Sequence, residues 1–217
     1  MKTMKSLFEE FDYYLMNFNR PSEYFNRLLK TGLLYDEYPL TLLGDLDSIQ
    51  QSPNHHPEGS VWNHTMLVID IASGVKELSS APNEIMWAAL LHDVGKIVTT
   101  RVINGKTTSY NHDKYGKKMA EEFIGHFSND KFFIREISLL IKWHMQVLYH
   151  LKNLPMADFS SMLKEVKINE VVLLTLCDRL GRGKMTPEKA KEEYCNIDKF
   201  LEKYNSYVNK YKNHKYN

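Results

Sequence analysis

The chain has 217 residues, of which 43% are hydrophobic, 25% charged and 12% aromatic, a composition that suits one compact domain or a core with an appendage. Twenty-eight Lys and Arg against 27 Asp and Glu leave a net charge of +1 with the nine His neutral. That balance excludes a generic polycation gripping nucleic acid by charge alone, though not a local basic strip. No apolar run approaches the ~20 residues of a bilayer span, and Met1-Lys2-Thr3-Met4-Lys5 leads into acidic and aromatic residues rather than an apolar signal core. Two cysteines, Cys177 and Cys195, can build neither a disulfide framework nor a four-cysteine zinc site. The expectation is a reduced, cytoplasmic protein with no membrane segment and no obligate protein partner.

Strand-like alternation is almost absent and helical spacing recurs, so the chain reads as all-α. Residues 1–30 hold two short amphipathic segments divided at Asn19-Arg20-Pro21, with Pro21-Ser22 opening the second and Gly32 closing it. Residues 35–60 form the longest irregular stretch. A helix follows from about Ser60 to Leu78, with the stripe Val61, His64, Val68, Ile71, Val75, Leu78, so His64 points with the apolar residues. The next, about Pro82 to Val94, is apolar nearly all round and therefore central; its last turn carries His92-Asp93, and Gly95 suits a C-terminal stop. Val102 to Thr108, around Asn104-Gly105, reads as a tight hairpin-like excursion. Helices are expected from about Asp113 to Phe127 and from Ser128 to about Leu148, the latter with the stripe Phe133, Ile137, Leu140, His144, Val147. Val171 to Leu180 is apolar apart from Thr175, Asp178 and Arg179, and Thr186-Pro187 reads as an N-cap with Pro at N1 of a last long helix. From Tyr204 the Lys-, Asn- and Tyr-rich tail is expected to fray.

His64 and His144 occupy core-facing slots, His92-Asp93 ends a buried helix, and Asp178 lies within another mostly apolar helix. A buried carboxylate without a partner costs several kcal/mol, so such charges are paired or bind metal. Singly, each residue has a plainer explanation: a hydrogen-bonded core histidine, or Asp178 paired with Arg179 or Arg182. Together, two carboxylates among imidazoles make an N/O ligand set for a divalent transition metal. His56, His126, His150 and His214 are set aside as surface or structural residues, and Trp62, Trp87 and Trp143 as core.

His64, then Leu91-His92-Asp93-Val94-Gly95-Lys96, then Asp178 resemble the H…HD…D pattern of HD-domain metal-dependent phosphohydrolases. Further features carry the resemblance closer to the C-terminal HD portion of bacterial tRNA nucleotidyltransferases (CCA-adding enzymes), over about residues 20 to 205. They are Pro21…Phe25…Leu28…Gly32-Leu33-Leu34, Tyr38-Pro39, Gly44, His56-Pro57-Glu58-Gly59 and Asp178-Arg179-Leu180-Gly181-Arg182-Gly183. No Gly-rich strand–turn segment with paired catalytic Asp precedes residue 20, so a stand-alone HD phosphohydrolase is expected rather than nucleotide addition.

The resemblance implies an HD-domain helical bundle with an N-terminal helical extension: residues 1–50 the extension packed on the core, 51–205 the HD phosphohydrolase domain and 206–217 a flexible tail. It implies a divalent metal (Mn, Ni, Co, Fe, Zn or Mg) on His64, His92, Asp93 and Asp178, with Asp93 also serving as a base. His112 and His144 would take a second metal, bind phosphate or supply a general acid. Lys96 would hold a phosphate oxygen or compensate a helix dipole, Arg179 and Arg182 would clamp phosphate or form an ion pair, and Glu58 would cap the helix of His64 or touch substrate. The implied substrate is a nucleotide-like phosphoester, with 2′,3′-cyclic phosphodiesterase, 2′-nucleotidase or phosphatase activity. A deoxynucleotide or alarmone hydrolase, or a non-catalytic RNA-binding or regulatory module, stands as the alternative, and the Lys/Tyr tail could touch RNA.

Overall fold

The computed structural model describes residues 4–215, with side chains from 4 to 210. The sequence readings of residues 1–3, of His214 and of the end of the tail lie outside the described side chains. The elements in order are α1 (Met4–Asn17), α2 (Ser22–Lys30), α3 (Thr41–Asp45), α4 (Val61–Val75), α5 (Pro82–Leu91) and α6 (Lys96–Thr99). Strands β1 (Arg101–Ile103) and β2 (Lys106–Thr108) follow, then α7 (His112–Gly125), α8 (Lys131–Trp143), α9 (Gln146–Leu151), α10 (Phe159–Glu165), α11 (Ile168–Leu180) and α12 (Pro187–Lys215). The fold is all-α but for the antiparallel hairpin, in which Arg101 faces Thr108 and Ile103 faces Lys106.

Helix α5 is the axle. Every residue from Ile85 to Leu91 is buried, so no face can be given to water, and α1, α4, α8 and α11 pack around it. α1 covers it with Leu7, Phe11 and Leu15, and Phe8 stacks on Trp87 at 4.6 Å. A second apolar cluster (Trp143, Val147, Phe159, Met162, Val171, Phe200) lies beneath α12. Trp62, Trp87 and Trp143 are all core residues, each indole N–H being taken by a side-chain oxygen of Asn26, Asp12 or Glu165.

Three departures from the sequence reading bear on the site. The helix expected to run to Leu148 stops at Trp143 and restarts at Gln146, because the Thr175 hydroxyl captures the His144 carbonyl at 2.7 Å. Gly95 is not a left-handed stop: its φ is −64°. It is needed for close approach, since a Cβ there would lie 2.0 Å from the His112 carbonyl oxygen and 2.5 Å from the Gly116 nitrogen. Finally, α12 continues through Tyr204 to Lys215, past the point where fraying was expected.

Candidate metal centre

Helix α4 is opened by Ser60, whose Oγ accepts the Asn63 N–H at 3.2 Å. Its apolar face (Val61, Val68, Ile69, Ala72) sets its rotation and carries His64 into the core. Asp178 reaches the same place from α11 because Gly181 lets the two helices touch; a Cβ there would stand 2.6 Å from Val68 Cγ2. The turn after α5 has only core around it, so His92 and Asp93 are buried, and the Gly95 contact draws His112 of α7 over them. His64 and His92 are 0% exposed and His144 1%.

The acceptors dictate where the imidazole protons sit. His92 Nδ1 is 2.9 Å from the Ala89 carbonyl, His112 Nδ1 2.8 Å from that of Ser109, and His144 Nδ1 2.6 Å from that of Ile141. A carbonyl only accepts, so each ring donates through Nδ1, and a neutral ring then presents a bare Nε2. His112 and His144 direct these atoms at each other, 3.3 Å apart, and His92 Nε2 is buried with no hydrogen-bond partner. Burial, against the upward pull of Asp93, lowers the His112 pKa to about 4, and burial lowers that of His144. Both rings are therefore neutral near pH 7.

Asp93 is the hub. Its Oδ2 lies 3.3 Å from His92 Nε2, 3.9 Å from His64 Nε2 and 2.6 Å from Lys96 Nζ, and its Oδ1 lies 3.5 Å from His112 Nε2. Burial by itself would raise its pKa; the Lys96 ammonium foremost holds it well below the carboxylate range. Asp178 Oδ1 is 3.0 Å from His64 Nε2, and that bond likewise outweighs burial to keep Asp178 ionised. Groups of His64, His92 and Asp93, and of Asp93, His112 and His144, bring one ligand atom each within 4.8 Å of one another. Buried, unprotonated imidazole nitrogens around two carboxylates are the donor set that suits a divalent transition metal.

Other sequence assignments are redirected. Lys96 opens α6 rather than compensating the end of α5, and its ammonium is held by Asp93 and by Gln51 Oε1 at 2.7 Å. Glu58 does not cap α4, because Ser60 does. Its Oε1 accepts from His56 Nδ1 at 2.9 Å and lies 3.0 Å from His64 Nδ1, off line for a linear bond, while its Oε2 accepts the Gly183 N–H at 2.9 Å. Burial disfavours that carboxylate, but these donors keep it ionised. Of the two arginines, Arg179 takes the ion pair, its Nε 3.9 Å from Glu193 of α12; Arg182 Nε is buried without a hydrogen-bond partner. His56, set aside as a surface or structural residue, stands edge-on to His64 at 4.7 Å between ring centres. His56 and Gln51 were missed because they lie in an irregular stretch without periodicity; the signal available was the His-Pro-Glu-Gly cluster itself.

Residues 61–183 match the HD domain family. The chain is 27% identical over 178 residues to a multifunctional CCA protein of Haemophilus influenzae (strain PittGG), covering 77% of this chain and 41% of that protein. It is 35% identical over 104 residues to one of Actinobacillus pleuropneumoniae serotype 5b (strain L20), covering 48% and 24%. It is also 44% identical over 61 residues to one of Halorhodospira halophila, covering 27% and 14%. The chain thus spans less than half the length of these curated relatives. No helix among the described residues is long and apolar enough to cross a membrane.

Proposed function

The chain belongs to the HD-domain family, whose members are generally metal-dependent phosphohydrolases, and we propose that it hydrolyses nucleotide-like phosphoesters, with 2′,3′-cyclic phosphodiesters and 2′-phosphomonoesters as the preferred class. One observation carries the reading: three imidazoles are clamped through Nδ1 by backbone carbonyls so that their bare Nε2 atoms gather around Asp93. His64, His92, Asp93 and Asp178 would hold a divalent ion, Mn, Ni, Co, Fe, Zn or Mg according to supply. Such an ion supplies Lewis-acid polarisation of the phosphoryl group and a water acidic enough to ionise near neutral pH.

The protein's own part follows from its geometry. The carboxylates of Asp93 and Asp178 offset the charge gathered in the site, and Asp93 is placed to take a proton from the attacking water. Glu58 sits beside His64 Nδ1, which leaves Nε2 turned inward. His112 and His144, neutral and with bare Nε2 atoms turned inward, would hold a second ion; only a ring protonated on substrate binding would instead bind a phosphoryl oxygen or pass a proton to the leaving oxygen. Lys96, at the rim with Gln51, would draw the phosphate to the mouth. The intact donor set favours an enzyme over a non-catalytic module.

The test is a panel of cyclic nucleotides, 2′- and 3′-nucleotides and a generic aryl phosphate, run on metal-stripped protein with each ion restored. Metal-dependent turnover strongest on 2′,3′-cyclic nucleotides is expected. Turnover of none of them with any ion would overturn the reading.

A further inference from the structure

Linked to the cluster through one carboxyl group lies a second cavity. It has a volume of about 310 Å³ and is walled on one side by Pro53, Asn54 and His55 and on the other by Arg182, Lys184 and Lys189, with Glu192 and Glu193 completing the wall. The carboxyl is that of Glu58: Oε1 lies 3.0 Å from the ring of His64, while Oε2 binds the backbone of Gly183 at the cavity edge at 2.9 Å. The two sites are therefore linked through the Glu58 side chain.

The charges of the cavity are not mutually satisfied. Glu193 is committed to Arg179 at 3.9 Å and accepts from Asn196 at 3.2 Å. Arg182 shares its charge with Asp178, which leaves Lys184 and Lys189 in the wall with Glu192. Arg182 Nε is itself buried, so an oxyanion entering the cavity would draw on the charge of the guanidinium and on the ammonium groups of Lys184 and Lys189. Guanidinium and ammonium groups together select phosphate or carboxylate, and Glu192 and Asn54 offer partners to hydroxyl or amine groups on the same ligand.

Resting on the reading of the cluster given above, the geometry points to this cavity as a second phosphate subsite, which receives a phosphate one nucleoside away from the ester undergoing hydrolysis. The substrate class then narrows to nucleotides that carry two phosphates: a 5′-phosphorylated nucleoside 2′,3′-cyclic phosphate, or an oligonucleotide ending in a cyclic phosphate. A simple cyclic mononucleotide leaves this cavity empty and binds less tightly.

The experiment compares a nucleoside 2′,3′-cyclic phosphate, its 5′-phosphorylated form and a dinucleotide ending in the same cyclic phosphate. Affinity is measured by calorimetry on metal-stripped full-length protein, and kcat/KM after metal is restored. The paired variant is Lys184→Asn, chosen because Lys184 has φ 58° and Asn tolerates that backbone, with Lys189→Gln; its thermal midpoint checks folding. In the unmodified protein the second phosphate should improve both affinity and kcat/KM by about tenfold or more, as expected for charge-assisted bonds. In the variant both ratios should fall towards one. Gain with the 5′-phosphate alone would identify a terminal phosphate as the ligand, and gain with the dinucleotide a bridging one; either supports the subsite. Equal affinities and equal kcat/KM in an active, unmodified enzyme would overturn it while leaving the cluster reading intact. Phosphate-dependent binding that Lys184→Asn/Lys189→Gln abolishes, in a protein that hydrolyses nothing, would do the reverse.

Discussion

The floor of the site and its rim are held by different kinds of bond. On the floor, His92, His112 and His144 are each fixed by the carbonyl three residues upstream, so their orientation is built into local backbone. At the rim, Lys96 meets Gln51 across 45 residues and Gly183 meets Glu58 across 125. Rim geometry therefore depends on the docking of loops, whereas ring orientation on the floor does not. Damage to the floor should abolish chemistry with little loss of fold, whereas damage to the rim should weaken binding by degrees.

Asp93→Asn strikes the floor hardest, since this carboxylate faces His64, His92, His112 and Lys96 at once. Metal affinity should fall by more than the roughly 10–100-fold of an outer partner, and turnover should vanish. Stability should drop by only about 1–3 kcal/mol, the cost of a Lys96 ammonium left with Gln51 alone. Metal analysis, rate and thermal midpoint read all three. Glu58→Gln tests the rim next. It removes the charge beside His56 and His64 but keeps the shape, so metal affinity or turnover should fall by roughly 10–100-fold; unchanged values in both assays would separate Glu58 from the site.

Ser60→Ala deletes the cap of the helix that carries His64. Stability should fall by about 1 kcal/mol by denaturant titration, with metal stoichiometry unchanged, because the apolar face of α4 still sets its rotation. The smallest effect lies outside the site. Burial, with the charge of Lys203, lowers His150 from 6.5 to about 4, while its ring stacks on Phe159 at 3.5 Å. The unfolded chain thus binds this proton more readily, so stability is lost as pH falls from about 6.5 to about 4. His150→Phe should flatten part of that slope, seen as a smaller fall in thermal midpoint over the same window.

The same contrast governs what the sequence made legible. Helix periodicity placed His64 and His144 on inward stripes, and the all-round apolar run of α5 forced His92-Asp93 into the core; those are local consequences of composition. The stripe reading failed where a distant group intervened. Thr175 cuts α8 short at His144, and Gly95 serves a contact with α7 that only the packed fold contains. Glu58 and Gln51 sit in a stretch without regular spacing, so periodicity foretold neither one's partners; the His-Pro-Glu-Gly cluster marked Glu58 without showing what it binds. The same holds for α10, seven residues long and capped by Asp158, too short to show a period.

His64, His92, Asp93 and Asp178 must share one ion if the site works as proposed. Crystals grown with Mn(II) and measured at an anomalous-scattering wavelength answer this most directly. The prediction is one strong anomalous peak with ligand atoms of all four residues about 2.0–2.3 Å away. No peak at saturating Mn(II), or a peak from which Asp178 and His64 stand apart, would contradict it.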